Sequence, residues 1–322
     1  MNRRLATLVA VSALLALGCS GGDGDRSVAT VDGVVIDEQR FNQLHVDTEA
    51  LSEDDRAGSV LILILQRAFS AEAEAGLGLS PDAAAIDQAY DALLEPLTAR
   101  GDLDQVLTAL NETEDRIRIN AELDVMQNTI ADHLVRNEIG GFDLDQAERT
   151  FALENAEVCT RQIQFDDAEA VQSALSRLDG GEPFESVARD LSIDPFVGRG
   201  EGVGAGGDLG CSTPSALPAG LDEAAIDSPL GQAVGPVASS VGVHVFEVYD
   251  RSLPDVEARH NEVIEAAVPI QGPELFRRWA VDVLLAIEVD VDEDYGRWGV
   301  LPETEPVPTV VSPSRFGDIN DG

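Results

Sequence analysis

Two adjacent glycines followed by Asp-Leu-Gly, at residues 206–210, constrain the fold of this chain more than any other stretch. Glycine adopts positive φ without steric penalty, so this run predicts a tight turn that leads directly into a strand. Two segments with strand-like alternation flank the run at a distance, at residues 159–165 and 241–248. Helical patterns separate the three segments. The elements from 158 to 249 follow the order β-α-α-β-α-β-β, which predicts an α+β unit whose last two strands pair as a hairpin.

The charge of the chain restricts the classes of partner. Its 322 residues include 60 acids and 21 bases, for a formal net charge of −39, and every base is arginine. So large an acidic excess argues against nucleic acid as a partner, because phosphate binding requires clustered Lys and Arg. It also argues against adhesion to anionic lipid headgroups by charge. We interpret the acidic surface as solubilising, and a hydrophobic fraction of 44% supplies the core.

The sequence contains few residue patterns that could bind a metal or a cofactor. The four histidines are scattered, and neither Cys159 nor Cys211 has the close Cys or His neighbours of a zinc site. No nucleophile elbow, zinc-protease motif, P-loop or Rossmann glycine pattern occurs. We therefore expect no metal and no cofactor.

The first residues have the pattern of an export signal. Arg3 and Arg4 precede an apolar run that ends at residue 17, which is too short to span a membrane as a helix. The small residues before Cys19 resemble a bacterial lipobox, which implies removal of residues 1–18 and lipidation of Cys19. An ordinary secretory signal with an incidental cysteine is the alternative. Residues 19–27 are then a flexible tether, and the expected location is extracytoplasmic, anchored to a bacterial membrane.

Residues 28–154 are predicted to form a helical domain with a small β start. A hairpin signal surrounds Asp32 and Gly33, and helical patterns with N-cap residues follow. The opening "VATVDGVVIDEQRFNQL" resembles that of SurA-like and PrsA-like chaperone domains. The alternative is a generic helical domain.

Residues 156–251 carry a second resemblance. The segments "VCTRQIQF", "GGEPFESVARDLSID", "GGDLGC" and "GLDEAAIDSPLGQAVGPVASSVGVHVFEV" stand in the order and spacing of the parvulin-type peptidyl-prolyl isomerase domain. The resemblance implies isomerisation of X-Pro bonds, whose slow rotation reflects the partial double bond of the amide. A catalyst for this rotation needs no cofactor, because it acts by binding the twisted amide better than either planar form.

The parvulin resemblance also implies site residues. The second of the family's two histidines falls on His244, and the position of its Cys or Asp falls on Asp194. The first histidine falls on Gln162, which is a departure, because glutamine does not titrate near neutral pH. Alternatively, His244 is a core histidine on a strand whose hydrogen bonds are satisfied within the protein. The alternative role of Asp194 is that of an N-cap or turn acid before Pro195.

The proline pocket of the family falls on aliphatic residues in this chain. Leu217, Leu221 and Ile226 take the pocket positions, with Val241 at the rim. Ordinary core packing is the alternative role for the first three. Cys159 and Cys211 lie in segments that would be strands of one sheet, so we expect a disulfide between them, since export permits one.

In SurA-like proteins the chain returns to the helical domain after the isomerase unit. The resemblance implies that residues 254–300 complete that domain as two helices and a strand, with Val289 and Val291 pairing against the strands at 28–36. Residues 301–322 contain four prolines and no periodic pattern, so they are predicted to be a disordered tail.

Two functions remain open from the sequence. The first is a lipid-anchored foldase that isomerises X-Pro bonds in unfolded or nascent exported polypeptides. The second is a holding chaperone or assembly factor, in which the parvulin unit binds the same clients without catalysis. The glutamine at position 162 is the residue that separates the two.

Overall fold

The computed structural model describes residues 26–195, 204–300 and 307–318. They form an α+β protein in two compact units, one of residues 26–124 and 283–318 and the other of residues 125–282. Cys19, the signal segment and most of the tether lie outside the described residues. The strands are β1 Ser27–Val31, β2 Val34–Asp37, β3 Glu157–Phe165, β4 Asp208–Ser212, β5 Ala233–Ser239, β6 Gly242–Ser252, β7 Val289–Val291, β8 Arg297–Val300 and β9 Pro308–Val311. The α-helices are α1 Glu38–Asn42, α2 Glu53–Glu72, α3 Ala83–Thr98, α4 Leu103–Leu110, α5 Glu114–Arg136, α6 Leu144–Asn155, α7 Ala168–Asp179, α8 Phe184–Leu191, α9 Leu221–Asp227 and α10 His260–Ala286.

A three-stranded antiparallel sheet of order β2-β1-β7 joins the two chain segments of the first unit. Asp32 and Gly33 form the turn between β1 and β2 with φ of 49° and 75°, which is the geometry of a two-residue hairpin. Strand β7 pairs with the other edge of β1, with Val289 opposite Val31 and Val291 opposite Ala29. The pairing predicted for these two valines is therefore confirmed.

The helices of the first unit begin where polar side chains cap them. Asp37 caps α1 by accepting the Arg40 N–H, and Ser52 caps α2 by accepting the Asp55 N–H. Asp82 caps α3 by accepting the Ala84 N–H. The buried face of α2 consists of Ala57, Ser59, Val60, Leu63, Ile64, Ala68 and Phe69.

The predicted disorder of residues 301–322 is wrong for the part of this segment that the structure describes. Residues 308–311 form β9, which pairs with β8, and a 3₁₀ helix follows from Pro313 to Asp318. Val310 and Val311 are buried, so the segment offsets the entropy of ordering by removing apolar side chains from water. Strand β1 begins at Ser27, the last residue of the predicted tether.

The second unit contains the predicted β-α-α-β-α-β-β order. Its four-stranded sheet has the order β4-β3-β6-β5, all antiparallel, and β5 and β6 form the predicted terminal hairpin. Helices α7 and α8 cover one face through a core around Ile163, Phe184 and Val245. Helix α9 covers the other face through a core around Leu221 and Phe246.

Helix α10 differs from the two separate helices predicted between residues 254 and 287. It runs unbroken from His260 to Ala286 with Pro269 and Pro273 inside it. A proline usually ends a helix, because it lacks an N–H and its ring clashes with the carbonyl four residues earlier. Here the helix continues through both prolines, and residues on either side of them, including Ala267 and Leu275, are buried.

The compact units divide at other positions than the domains predicted from the sequence. The divisions fall inside α5, after Asp124, and inside α10, before Val283. Helix α6 and most of α10 therefore belong to the unit that contains the four-stranded sheet. In the parts of the chain that are described, no helix is both long enough and apolar enough to cross a bilayer.

Candidate functional site

The candidate site lies on the face of the four-stranded sheet that α9 covers. Residues opposite each other in an antiparallel pair project to the same face. Gln164 lies opposite His244, and Gln162 lies opposite Phe246, so these four side chains share that face. His244 and Gln162 are thus diagonal neighbours. Gln162, on which the first histidine of the family falls, is therefore not directly opposite His244. Gln164 occupies that position.

His244 is fully buried, with its Nε2 atom 2.7 Å from the Ser239 hydroxyl. The hydroxyl is 3.3 Å from the Gly242 carbonyl oxygen, and it accepts the Val241 N–H. The hydroxyl donates to the Gly242 carbonyl oxygen, which can only accept, so Nε2 carries the imidazole proton and donates to the hydroxyl, and Nδ1 is an unprotonated acceptor. Burial lowers the pKa of His244, and the nearby Asp194 carboxylate opposes this in part. The imidazole is therefore neutral at neutral pH.

Gln162 and Asp194 are brought together by the segment that follows α8. The Gln162 Nε2 donates to Asp194 Oδ2 at 3.3 Å. This contact depends on Ser192, whose hydroxyl accepts the backbone N–H groups of Gln164 and Asp194. Ile193 donates its backbone N–H to the Gln164 carbonyl. The segment thus continues along β3 beyond the end of β4 and places Asp194 beside the sheet face.

Buried polar atoms without a hydrogen-bond partner among the described residues concentrate at this site. They are Thr160 Oγ1, Gln162 Oε1 and His244 Nδ1, and the fourth such atom, Arg116 Nε, belongs to the other unit. Thr160, Gln162 and His244 occupy the same face of β3 and β6 by their register. An unsatisfied buried polar atom costs about 1–3 kcal/mol, so three together point to a site built for a ligand.

The apolar part of the site is formed mainly by α9 and β6. Leu221 and Phe246 are fully buried in one cluster, and Leu217 packs against it while remaining partly exposed. Ile226 is half-buried. Val241 is 53% exposed and its carbonyl oxygen accepts the Gln164 Nε2 at 2.6 Å, which agrees with a rim position.

Two arginines hold helix α9 in place. Arg251 of β6 donates through one guanidinium nitrogen to the carbonyl oxygens of Ala225, Ile226 and Ser228 at the end of α9. Arg149 of α6 donates to Asp227 at 2.7 and 3.1 Å. These bonds satisfy the last carbonyls of a short helix and fix the helix that carries the apolar residues.

The glycine turn brings the chain against β3. Gly207 has a φ of 84°, and a Cβ atom there would lie 2.2 Å from the Gln162 carbonyl oxygen. Gly206 has a φ of 62°, and a Cβ atom there would meet the side chain of Glu185 on α8. Both positions therefore require glycine, by conformation and by contact. The predicted turn into a strand is confirmed, because β4 begins at the next residue.

The disulfide between Cys159 and Cys211 is present. The two cysteines are opposite each other on β3 and β4, 52 residues apart in the chain. The bond ties the strand that carries Gln162 to the strand that follows the glycine turn.

Sequence reasoning missed three residues of this site, namely Thr160, Ser239 and Phe246. Thr160 and Phe246 lie two positions along their strands from Gln162 and His244, so the period of two could have indicated them. Ser239 lies opposite Gly242 across the hairpin turn, a register that turn length specifies. No group of three or more His, Cys, Asp and Glu side chains that could hold a metal occurs in the described ranges.

Comparison with known proteins agrees with this geometry. Residues 157–250 match the family described as "Rotamase: PPIC-type PPIASE domain". This part of the chain is a parvulin-type domain, and its limits differ by one residue at each end from those predicted.

The architecture of the whole chain is SurA/PrsA-like. The foldase protein PrsA of Halalkalibacterium halodurans is 23% identical over 321 residues, which cover 95% of this chain and 90% of the relative. The chaperone SurA of Idiomarina loihiensis is 30% identical over 113 residues, 33% of this chain and 25% of that protein. The crystal structure of the peptidylprolyl isomerase PrsA from Bacillus cereus shares the fold with a TM-score of 0.52 at 18% identity, covering 84% of this chain and 95% of the other.

Proposed function

We propose that the protein is an extracytoplasmic foldase that isomerises X-Pro bonds in exported polypeptides. The observation that carries this proposal is the group of unpartnered buried atoms on Thr160, Gln162 and His244 beside an apolar cluster. A core that only packs has no use for such atoms, whereas a bound X-Pro segment offers its carbonyl oxygens and its flanking backbone N–H groups as partners. The relatives named foldase and chaperone support the same function.

The mechanism we propose is binding of the twisted amide without a covalent step. Rotation about the X-Pro bond breaks amide resonance, so the carbonyl oxygen loses partial charge and the proline nitrogen becomes pyramidal. His244 Nδ1 and Gln162 Oε1 each accept a backbone N–H of the residues that flank the prolyl bond. The buried cluster around Leu221 and Phe246 receives the proline ring and excludes water. Neutral imidazole suits this role because it accepts a hydrogen bond without adding a charge to a buried site.

Glutamine at position 162 changes how Asp194 acts. An amide donates to the carboxylate without exchanging a proton, so Asp194 orients the Gln162 side chain and presents its Oε1 atom. The pair Gln162–Asp194 is then a fixed acceptor, and the activity does not require two histidines.

A prolyl peptide assay tests this function. His244→Ala and Gln162→Ala each remove one partner of the substrate, and each should lower kcat/KM about tenfold, which corresponds to about 1.4 kcal/mol. Leu285→Ala, a substitution of an exposed side chain in the other unit, is the matched control. Wild-type activity equal to that of buffer would refute the catalytic function.

Glutamine in place of a family histidine favours one alternative, a holding chaperone. In that case the protein suppresses aggregation of an unfolded, proline-containing client while showing no isomerase activity. The measurement is light scattering of a reduced client with wild-type protein and with His244→Ala. Equal suppression by both, together with absent isomerase activity, would establish the alternative.

We also propose that Cys19 carries a lipid anchor and that the clients are unfolded exported chains. The apolar run before Cys19 and the polar residues after it support the anchor. Mass spectrometry of the protein from a bacterial membrane fraction should show a mature chain that begins at a modified Cys19. A Cys19→Ala variant recovered in the same fraction would contradict the anchor.

A further inference from the structure

The free edge of strand β2 borders a groove in the first unit. The groove has a volume of about 400 Å³ and lies between β2 and the middle of α2. We call it the β2 groove; its lining includes Val35, Ile36, Asp37, Arg40, Leu63 and Arg67. Strand β2 pairs only with β1 within the described residues, so its outer edge faces this groove unpaired.

The backbone of Val35 is the part of this edge that can accept another chain. Val31 and Val34 flank the two-residue turn, so they exchange backbone hydrogen bonds, and Ile36 does the same with Ala29. The N–H and C=O of Val35 therefore point away from β1. The Val35 side chain is 57% exposed, and that of Val34 is 42% exposed. An exposed β-branched edge of this kind is a template for pairing with an extended segment.

The groove also carries a local positive charge on a strongly acidic protein. Arg40 and Arg67 both line it, and neither makes an ion pair in the described part of the chain. Among the described residues, the Arg40 guanidinium donates only to the Gln43 side chain, at 3.2 Å. The one acid of the lining, Asp37, accepts the backbone N–H of Arg40 as the cap of α1. In a chain with a net charge of −39, two arginines without carboxylate partners mark a site for a carboxylate from elsewhere.

We propose that the β2 groove binds an extended client segment that carries aliphatic side chains and an acidic one. The segment pairs with the N–H and C=O of Val35, its apolar side chains contact Val35 and Leu63, and its carboxylate lies between Arg40 and Arg67. The client as partner rests on the proposed foldase function. The groove binds the segment independently of proline, so it holds the chain while the parvulin domain acts on another part of it.

A pair of proline-free peptides tests the proposal on the full-length protein. Each is a labelled, capped peptide of alternating valine and threonine, with a central glutamate in one and glutamine in the other. The glutamate peptide should bind more tightly. Arg67→Gln and Arg40→Gln should each weaken its binding about threefold to tenfold and leave the glutamine peptide unchanged, as measured by fluorescence anisotropy. Arg100→Gln, which replaces an exposed arginine without an ion pair outside the groove, is the matched control and should change neither.

A second variant tests the edge itself. Val35→Asp should weaken both peptides, because it opposes the carboxylate and removes an apolar contact, while the urea midpoint shows whether the protein remains folded. Equal binding of the two peptides by wild type, or no effect of Arg67→Gln, would overturn the proposal. Sedimentation that shows self-association abolished by Val35→Asp, with no peptide bound, would assign the edge to a second copy of the chain and overturn it as well.

The same peptides separate this proposal from the proposed function. His244→Ala should bind the glutamate peptide as wild type does, because His244 lies in the other unit. Loss of isomerase activity with peptide binding retained would refute only the catalytic function. Isomerase activity without peptide binding would refute only the groove.

Discussion

His244 combines full burial with a ring whose hydrogen bonds are only partly satisfied. It is fully buried, one ring nitrogen contacts Ser239, and the other has no partner in the described chain. A histidine that served only the core would be expected to satisfy both nitrogens. The unsatisfied atom supports the binding role that we propose for His244.

Burial of His244 predicts a pH dependence of stability below neutral pH. Its folded-state pKa is lowered by burial, whereas the unfolded chain has the ordinary value near ~6.5. As the pH falls through ~6.5, the unfolded state takes up a proton that the folded state refuses. The free energy of unfolding should therefore decrease between pH 7 and pH 5.5, and His244→Gln should reduce this slope. Urea unfolding across this range measures it.

His45 provides the matched variant for the pH experiment. Burial lowers its pKa too, and its ring nitrogens contact the Asn111 carbonyl and the Ser59 hydroxyl. His45→Gln should also reduce the slope, and the two reductions should add because the residues lie in different units. A slope in the double variant equal to that of the wild type would contradict the assignment of both lowered pKa values.

The sequence indicated His244, Asp194 and Gln162 individually, and the structure places them on or beside one sheet face. The sequence could not indicate that Gln164 lies across from His244, because register depends on the pairing of distant strands. Nor could it indicate the Ser239 contact, since the hairpin turn had to be known first.

At the scale of elements, the glycine turn acts as a spacer between β3 and α8. Gly206 and Gly207 lie against Glu185 and the Gln162 carbonyl, so the chain enters β4 at van der Waals distance from the strand that carries the site. The sequence predicted the turn correctly because glycine has a conformational freedom that no other residue shares. What the turn packs against could not be predicted locally.

Replacement of Gly207 tests this close approach. Gly207→Ala should destabilise the protein by about 2 kcal/mol or more beyond the cost of positive φ, because its Cβ would lie 2.2 Å from the Gln162 carbonyl oxygen. Gly181 has the same φ of 84° with nothing within 4 Å, so Gly181→Ala isolates the conformational cost, about 1 kcal/mol. Urea unfolding compares them, and equal destabilisation would show that the contact with β3 is not limiting.

Two element predictions were wrong for related reasons. Residues 308–311 contain proline and lie in a segment without a periodic pattern, yet they pair with β8 and bury Val310 and Val311. Pro269 and Pro273 stand inside α10, where local rules predict a helix end. In both cases burial of apolar neighbours outweighs the local preference.

At the scale of the whole molecule, the first unit depends on two distant parts of the chain. Strand β7 pairs with one edge of β1. Asp292 donates its backbone N–H to the Val28 carbonyl, and its carboxylate forms an ion pair with Arg26. Val28, Ala29 and Val31 are at most 2% exposed. The N-terminal hairpin therefore lacks a complete set of partners until the C-terminal strand is in place.

Truncation after residue 287 tests this dependence. Removal of β7 should expose the outer edge of β1, and the amides of residues 28–31 should lose protection in hydrogen exchange measured by mass spectrometry. Truncation after Val300 keeps β7 and removes β9, so it is the matched control and should retain that protection. Full protection of residues 28–31 in the shorter chain would show that the hairpin is stable without β7.

Patterns along the chain were sufficient to predict the α+β class, the order of the parvulin unit, the hairpin at Asp32, the pairing of Val289 and Val291, and the disulfide. Each follows from short-range rules or from the spacing of a family pattern, because turn preferences and strand alternation are properties of neighbouring residues. The folded chain was needed to reveal the register of His244, the Gln162–Asp194 contact, the unpartnered atoms and the β2 groove. These depend on which distant side chains meet and which atoms are removed from water, and burial is a property of the folded chain as a whole.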